Sequence, residues 1–303
     1  ELSYDQIFEK NPLVSIVVIT YNHEAYIEKT IESILQQKTT FPFEIIISDD
    51  FSTDRTQEII INYQSKYPDL IRLLCADINV GITKNAIRAD LKTRGKYIAY
   101  CEGDDYWIDH NKLQKQAEIM ESDPCIGLIF SRAKEFDYDK NHFIEINPLK
   151  SISIGLHNSN EFFMKRLCSS ISLTTCTTMV RQHLIINAIK NHVVFKINSS
   201  MMDTPRWFAA SYNMKTFYMN DITGVYVLHG DSVSSNWNLK ETARQGCVVL
   251  YGFLKTMTDC TSKKIESKVL FRMISHAFYN HDLTLAAVCQ EIASESKISL
   301  SFF

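Results

Sequence analysis

The sequence is poor in the signals that would place it outside the ordinary globular proteins. None of its apolar runs approaches the ~20 residues that a bilayer-crossing helix needs. Its start shows no leader-like pattern, although it begins with Glu1 rather than Met, as a trimmed chain would. No Gly-x-Gly-x-x-Gly follows any strand-like run, which argues against a dinucleotide-binding dehydrogenase. The turn after the first such run, "TYNHEAY", holds no Gly at all, whereas a nucleotidyltransferase would usually carry a Gly-rich phosphate loop there. Charge of one sign is also missing: a formal net charge of -3 gives no reason to expect nucleic acid as a partner. The eight Cys (75, 101, 125, 168, 176, 247, 260 and 289) form no C-x-x-C pair. Several lie inside apolar runs, as buried free thiols of a reducing cytosol would. No internal repeat or low-complexity segment interrupts the chain.

What is present fits a soluble α/β protein: 303 residues, 45% hydrophobic and 22% charged. "VSIVVIT" (14–20) is a continuous β-branched run, as expected of a strand covered on both faces. "EAYIEKTIESILQQK" (24–38) follows with Ile27, Ile31, Ile34 and Leu35 at helical spacing. The alternation continues with strands at 43–48, 70–76 and 96–102 and helices at 55–67 and 84–94. Such alternation predicts a mainly parallel sheet with helices on both faces, whose ligands bind beyond the carboxyl ends of the strands. "TYNHE", "SDDFSTD" and "EGDDYW" all fall at such ends. Further on, one or two strands are expected in 126–138, loop in 139–160, a strand at 174–180 and a helix at 182–190. A strand running into a polar loop is expected at 223–236, and two or three amphipathic helices after Leu239.

The carboxylates are the candidates for chemistry. Adjacent Asp104 and Asp105 repel each other, and a divalent cation offsets that repulsion. Mg²⁺ or Mn²⁺ is commonly held by one or two protein carboxylates plus substrate phosphate oxygens. The plain alternative is a surface turn. For Ser52 and Asp54 the alternative is a helix cap ahead of Arg55; Asp49 and Asp50 lie too early for that. Asp203, before Thr-Pro, also has the composition of a helix cap. His23 reads as a solvated turn residue. Trp207 reads as core, and Trp107, next to the aspartates, as a flat wall for a ligand, with Tyr106 and Trp237 as further flat faces.

Taken in order, "PLVSIVVITYNHEAYIEKTIESILQQ", "FEIIISDDFSTDRT", "NVGITKNAIRA", "GKYIAYCEGDDYW" and "KLQKQAEIME" resemble a family 2 glycosyltransferase of the GT-A fold. The resemblance is strong over residues 12–130, continues more loosely through "MMDTPRWFAA" and "TGVYVLHGDSVSS", and does not reach 239–303. It implies a catalytic domain over 1–238, with a nucleotide-binding half (12–130) and an acceptor-binding half (131–238), followed by a C-terminal helical extension over 239–303.

The implied reaction moves a sugar, with inversion, from a nucleoside-diphosphate sugar, UDP- or dTDP-linked, to an acceptor hydroxyl. The setting would be bacterial surface-polysaccharide assembly, in the cytoplasm and as far as the inner face of the plasma membrane. A saccharide or lipid-linked saccharide would be the acceptor. Thr20, Tyr21, Asn22 and Asp50 would lie against the base, and Asp104 near the ribose or donor sugar. Lys84 and Arg88 would contact the diphosphate or sugar, unless they are ordinary helix cations. Asp105 would ligate Mn²⁺ or Mg²⁺, with His229 completing the metal shell, and Asp203 would be the general base. The sequence has Gly-Asp-Asp where the family has a spaced Asp-x-Asp, so the division of labour between Asp104 and Asp105 stays open. A catalytically silent sugar-nucleotide-binding protein or scaffold of the same fold, or a nucleotidyltransferase, are the rival readings. Homodimerisation and peripheral membrane association through the tail stay open as well.

Overall fold

The computed structural model describes residues 11–144, 153–158, 173–191 and 203–230. The expected helical extension over 239–303, and Trp237, lie outside the described residues.

Strands β1 (Val14–Thr20), β2 (Phe43–Asp49), β3 (Ile71–Cys75) and β4 (Tyr97–Tyr100) alternate with helices α1 (Ile27–Leu35), α2 (Thr56–Lys66) and α3 (Ile82–Asp90). Every residue of β1 and β4 is buried, so their unbroken apolar runs record a sheet covered on both faces. After β4 come β5 (Tyr106–Trp107), α4 (Lys112–Ser122), β6 (Ile126–Asp137), β7 (His142–Ile144) and β8 (Gly155–His157). The described chain continues with a 3-10 turn (Thr175–Thr177), β9 (Met179–Arg181), α5 (Gln182–Asn191), α6 (Asp203–Ser211) and β10 (Lys215–Leu228).

The ten strands of the described residues join one sheet in the order β3-β2-β1-β4-β9-β6-β10-β5, with β7 added beside β6 and β8 beside β10. The pairs β1–β2, β2–β3, β1–β4 and β6–β10 are parallel. Strand β9 runs antiparallel between β4 and β6. The order reverses between β1 and β4, since β2 and β3 extend to one side and the rest of the sheet to the other. In open α/β sheets that reversal opens a crevice beyond the strands' carboxyl ends.

Two local expectations change. The segment 139–160 is not all loop, because β7 and β8 add short antiparallel edges there. The segment 174–180 is strand only from Met179 onward. Thr177 Oγ1 donates to Thr174 O and Thr178 Oγ1 to Thr175 O, each at 2.8 Å. These threonine hydroxyls give the backbone a turn to compete with the ladder.

Candidate active site

Three loops converge at the crevice. At the end of β1, Thr20 is buried, Tyr21 is exposed, and Asn22 has φ 54°, a left-handed conformation that Asn adopts readily. Asn22 Oδ1 accepts Thr53 N at 2.8 Å, and Asn22 N donates to Ser52 Oγ at 2.9 Å. Glu24 N donates to Asp54 Oδ2, and Arg55 N to Glu24 Oε2. The β1–α1 and β2–α2 loops are therefore fastened to each other. Asp54 also accepts Thr56 N at the start of α2, at 2.9 Å. Asp49 accepts from Ser52 and Gln57. Asp50 is buried, and its two oxygens accept Val80 N at 2.8 Å and Gly81 N at 2.9 Å.

The loop after β4 carries the acidic group. Gly103 N donates to Ile19 O, bringing this loop against β1. A side chain at 103 would lie 2.8 Å from both Thr20 Oγ1 and His23 Nδ1, so only glycine permits this approach. Thr30 of α1 clamps the loop from below, its hydroxyl shared between Gly103 O at 2.9 Å and Asp105 O at 2.7 Å.

The two aspartates then part. Asp104 Oδ2 lies 3.1 Å from His229 Nε2 and 3.9 Å from His23 Nε2. Asp105, expected as the metal ligand, is turned inward. It is fully buried, with Oδ1 accepting Val227 N at 2.9 Å. The two lie on a turn over residues 102–105, closed by Asp105 N donating to Glu102 O at 3.0 Å, and the turn leaves Asp104 towards the imidazoles while Asp105 enters the interior. Among the described residues, the group able to hold a metal ion is His23, Asp104 and His229, with donor atoms all within 4.8 Å of one another.

Charge is distributed unevenly over the acids. Burial, with the charges of Asp104 and Asp203 adding, pushes Glu102 up to about 8. Burial, then Asp104 and Glu102, hold Asp105 well above the usual carboxylate range. Burial would raise Asp104 too, but His23 and His229 outweigh it and keep that carboxyl below its ordinary value. Asp104 is thus the ionised member of the group.

Asp203 is the first residue of α6, and its Oδ1 accepts Thr204 N at 2.7 Å, a contact to the next residue and not the contact two or three residues on that defines a helix cap. Helix α6 is fixed by Arg206, whose guanidinium is buried against Asp90 at 2.8 Å. Tyr100 Oη donates to the other Asp90 oxygen at 3.2 Å, and the Tyr100 ring lies 4.4 Å from Arg206 Cζ.

Other expected residues stand elsewhere. Trp107, read as a sugar wall, is 3% exposed, and its Nε1 donates to Cys176 O at 2.7 Å; it is core, as Trp207 is. Arg88, read as a diphosphate contact, donates to Ser48 Oγ, Asp49 O, Leu74 O and Asn85 Oδ1. It ties α3 to the ends of β2 and β3. Lys84 is exposed on α3. Tyr106 is buried beneath Lys29, whose Nζ lies 3.6 Å from the ring centroid. His23 is not a solvated turn residue, because the β1 turn directs its ring to Asp104. Glu102, Asp90 and Arg206 were not singled out by the sequence. Only their place beside the aspartates and in "DTPRW" hinted at them.

Residues 15–183 match the family described as Glycosyl transferase family 2. An Escherichia coli UDP-Glc:alpha-D-GlcNAc-diphosphoundecaprenol beta-1,3-glucosyltransferase, WfaP, is 30% identical, covering 78% of this chain and 85% of that one. The chain belongs to glycosyl transferase family 2. An uncharacterised Mycobacterium tuberculosis protein is 40% identical over 136 residues, 45% of this chain and 39% of its own length. The chain therefore matches well under half the length of that relative. Among solved structures, Staphylococcus aureus TarS 1-349 in complex with UDP-GlcNAc superposes with a TM-score of 0.66 at 18% identity. That superposition covers 93% of this chain and 80% of TarS. The shared architecture is the GT-A fold, a mostly parallel sheet flanked by helices. Among the described residues, no helix is long and apolar enough to cross a membrane.

A family of this kind raises the question of a divalent ion, and the donor set fits one. It offers two imidazoles and one ionised carboxylate, while Thr20 Oγ1 and His23 Nδ1 are buried beside it with no hydrogen-bond partner among the described residues. Donor atoms ~2.0–2.2 Å from one ion lie roughly 3.0–3.6 Å apart; the Asp104–His229 pair is within that range at 3.1 Å, the Asp104–His23 pair is beyond it at 3.9 Å, and all three donors lie within 4.8 Å.

Proposed function

We propose that the protein is an inverting glycosyltransferase that moves a sugar from a UDP- or dTDP-sugar to a hydroxyl of a saccharide acceptor in surface-polysaccharide assembly. One observation carries the reading: Asp104, its Oδ2 3.1 Å from His229 Nε2, follows β4 at the point where the sheet order reverses. Asp104 and His229 would hold the cation, and Asp50 and the β1 turn would receive the base. A bound divalent cation would neutralise charge building on the leaving diphosphate.

Asp203 takes the proton from the acceptor hydroxyl as its oxygen bonds to the anomeric carbon. The bond from that carbon to the diphosphate oxygen breaks, and the nucleoside diphosphate leaves with the electron pair. A sugar hydroxyl is a poor nucleophile at neutral pH, and such base assistance is worth roughly 10²–10⁴-fold. The acceptor class, a lipid-linked saccharide, rests on likeness to the E. coli enzyme. Residues 1–238 would form the catalytic unit.

The experiment is Asp203→Asn, followed by UDP release with Mn²⁺, first as donor hydrolysis and then with lipid-linked saccharide acceptors. Because Asn caps a helix about as well as Asp, the variant should fold and bind UDP like the parent yet turn over at least ~10²-fold more slowly. Turnover at the parent rate would leave Asp203 as a cap only.

A further inference from the structure

We infer that His23 is a third protein ligand. The site is then a two-imidazole, one-carboxylate centre that takes up a transition-metal ion before the nucleotide arrives and discriminates against Mg²⁺. This rests on the reading of Asp104 and His229 as metal ligands and goes beyond it in ligand number, metal class and order of binding.

His23 is held where a ligand must be held. Its N–H donates to Thr56 Oγ1 at 2.8 Å, and its carbonyl accepts Tyr26 N and Ile27 N, each at 2.9 Å. The backbone is thereby fixed to both α2 and the start of α1. The ring sits edge-on to Tyr26, with centroids 6.1 Å apart, and nearly perpendicular to His229, with centroids 6.2 Å apart. Tyr26 stacks on His229 at 4.5 Å, so one aromatic ring orients both imidazoles.

A purely structural histidine in this position would be expected to make a side-chain hydrogen bond. Among the described residues His23 makes none: Nδ1 has no partner, and Nε2 stands 3.9 Å from Asp104 Oδ2, too far for a hydrogen bond. What that nitrogen faces is the carboxylate oxygen that also faces His229. A cation between the three would use all of them.

The chemistry of the donors sets the selectivity. A site of one carboxylate and substrate phosphates suits Mg²⁺, which keeps oxygen ligands and gives up its waters reluctantly. Each imidazole added moves preference along the series towards Co²⁺, Ni²⁺ and Zn²⁺, with Mn²⁺ intermediate through its tolerance of carboxylate. Three protein donors are also enough to hold an ion while coordination positions remain for a diphosphate.

The test uses the full chain stripped with EDTA. Without nucleotide, titration of Mn²⁺ followed by electron paramagnetic resonance should show a bound ion, and calorimetry should show Zn²⁺ binding and no Mg²⁺ binding. Electron spin-echo modulation of the Mn²⁺ complex should report two imidazole nitrogens in the parent and one in His23→Gln. That variant should bind Mn²⁺ at least ~10-fold more weakly without UDP, while still binding Mn²⁺ with UDP. The parent's modulation decides the ligand count even if the variant does not fold. A single imidazole in the parent, or Mg²⁺ bound as tightly as Mn²⁺ without nucleotide, overturns the inference and leaves the Asp104–His229 reading standing. A parent that binds no metal even with UDP overturns both.

Discussion

Lys112 gives the fold's sharpest test, because its ammonium is buried with no carboxylate in direct contact among the described residues. It is the first residue of α4 and fully buried, at the helix end whose dipole disfavours a cation. Nζ donates to Gln116 Oε1 at 2.8 Å and lies 4.4 Å from the Trp107 ring centroid. Burial lowers its pKa from 10.5 to about 8, against smaller opposing effects of Cys101, Cys176 and Asp109. A drop of that size corresponds to roughly 3 kcal/mol of cost for keeping the charge below pH 8. Between pH 8 and 10.5 the unfolded chain binds the proton that the folded chain has released, so stability from this group rises with pH. Lys112→Met keeps the volume and removes the titration. The parent's stability relative to this variant, measured by urea unfolding, should rise by roughly 2 kcal/mol between pH 7 and pH 9.5. A difference that stays flat across that range would refute the buried-cation account.

Three further outcomes follow from the site. Asp104→Asn should abolish metal-dependent UDP binding, whereas Asp105→Asn should retain it, its amide still able to accept Val227 N–H; thermal shift with UDP and Mn²⁺ distinguishes the two. Because Asp50 already accepts from Val80 and Gly81 and keeps lone pairs for a base N–H, UDP or dTDP should stabilise the protein more than GDP, ADP or CDP. Asp50→Ala should erase that preference, and a purine diphosphate binding most tightly would refute it. Arg206→Met should cost roughly 3–5 kcal/mol in unfolding free energy by stranding Asp90. Where the variant still folds, it should lower kcat more than it changes KM for the donor, since α6 carries Asp203.

The parts of the fold that were legible are those whose period reports their own surroundings. Strand β1 falls at 14–20 as expected, because a run of buried β-branched residues has few other uses. Helix α1, expected over 24–38, forms over Ile27–Leu35, with its Ile spacing turned to the core. The site was less legible because its members are remote in sequence. His23, Asp104 and His229 share no spacing, and a histidine in a polar turn reads locally as solvated. The Gly103 contact with Ile19 and the Thr30 clamp bring the first two together. Which aspartate faces the crevice depended on the turn over residues 102–105, whose conformation composition cannot fix. Trp107 misled for a related reason: β5 pairs antiparallel with β10 at Gly224 and Val225, and that pairing carries the ring under the sheet. Strand β10 begins at Lys215, before the expected 223, and its register shifts at Thr216, Ile222 and Gly224 interrupt the alternation that would reveal it.

The same contrast between neighbours explains how one short loop can hold three carboxyl groups. Were Glu102, Asp104 and Asp105 all ionised, their repulsion in a buried setting would work against the turn that Gly103 makes possible. The fold resolves this by environment rather than by distance. Asp105, sealed against Val227, holds its proton, and Glu102, pressed by Asp104 and Asp203, titrates only near 8. Asp104 alone has imidazoles beside it and stays charged. Environments that push like groups apart in pKa assign them different roles. Here the assignment leaves one anionic oxygen facing His229 and His23, and it leaves the neutral acids to the layer beneath. A cation docking at Asp104 therefore meets a single prepared charge, and the loop does not have to be held open against three.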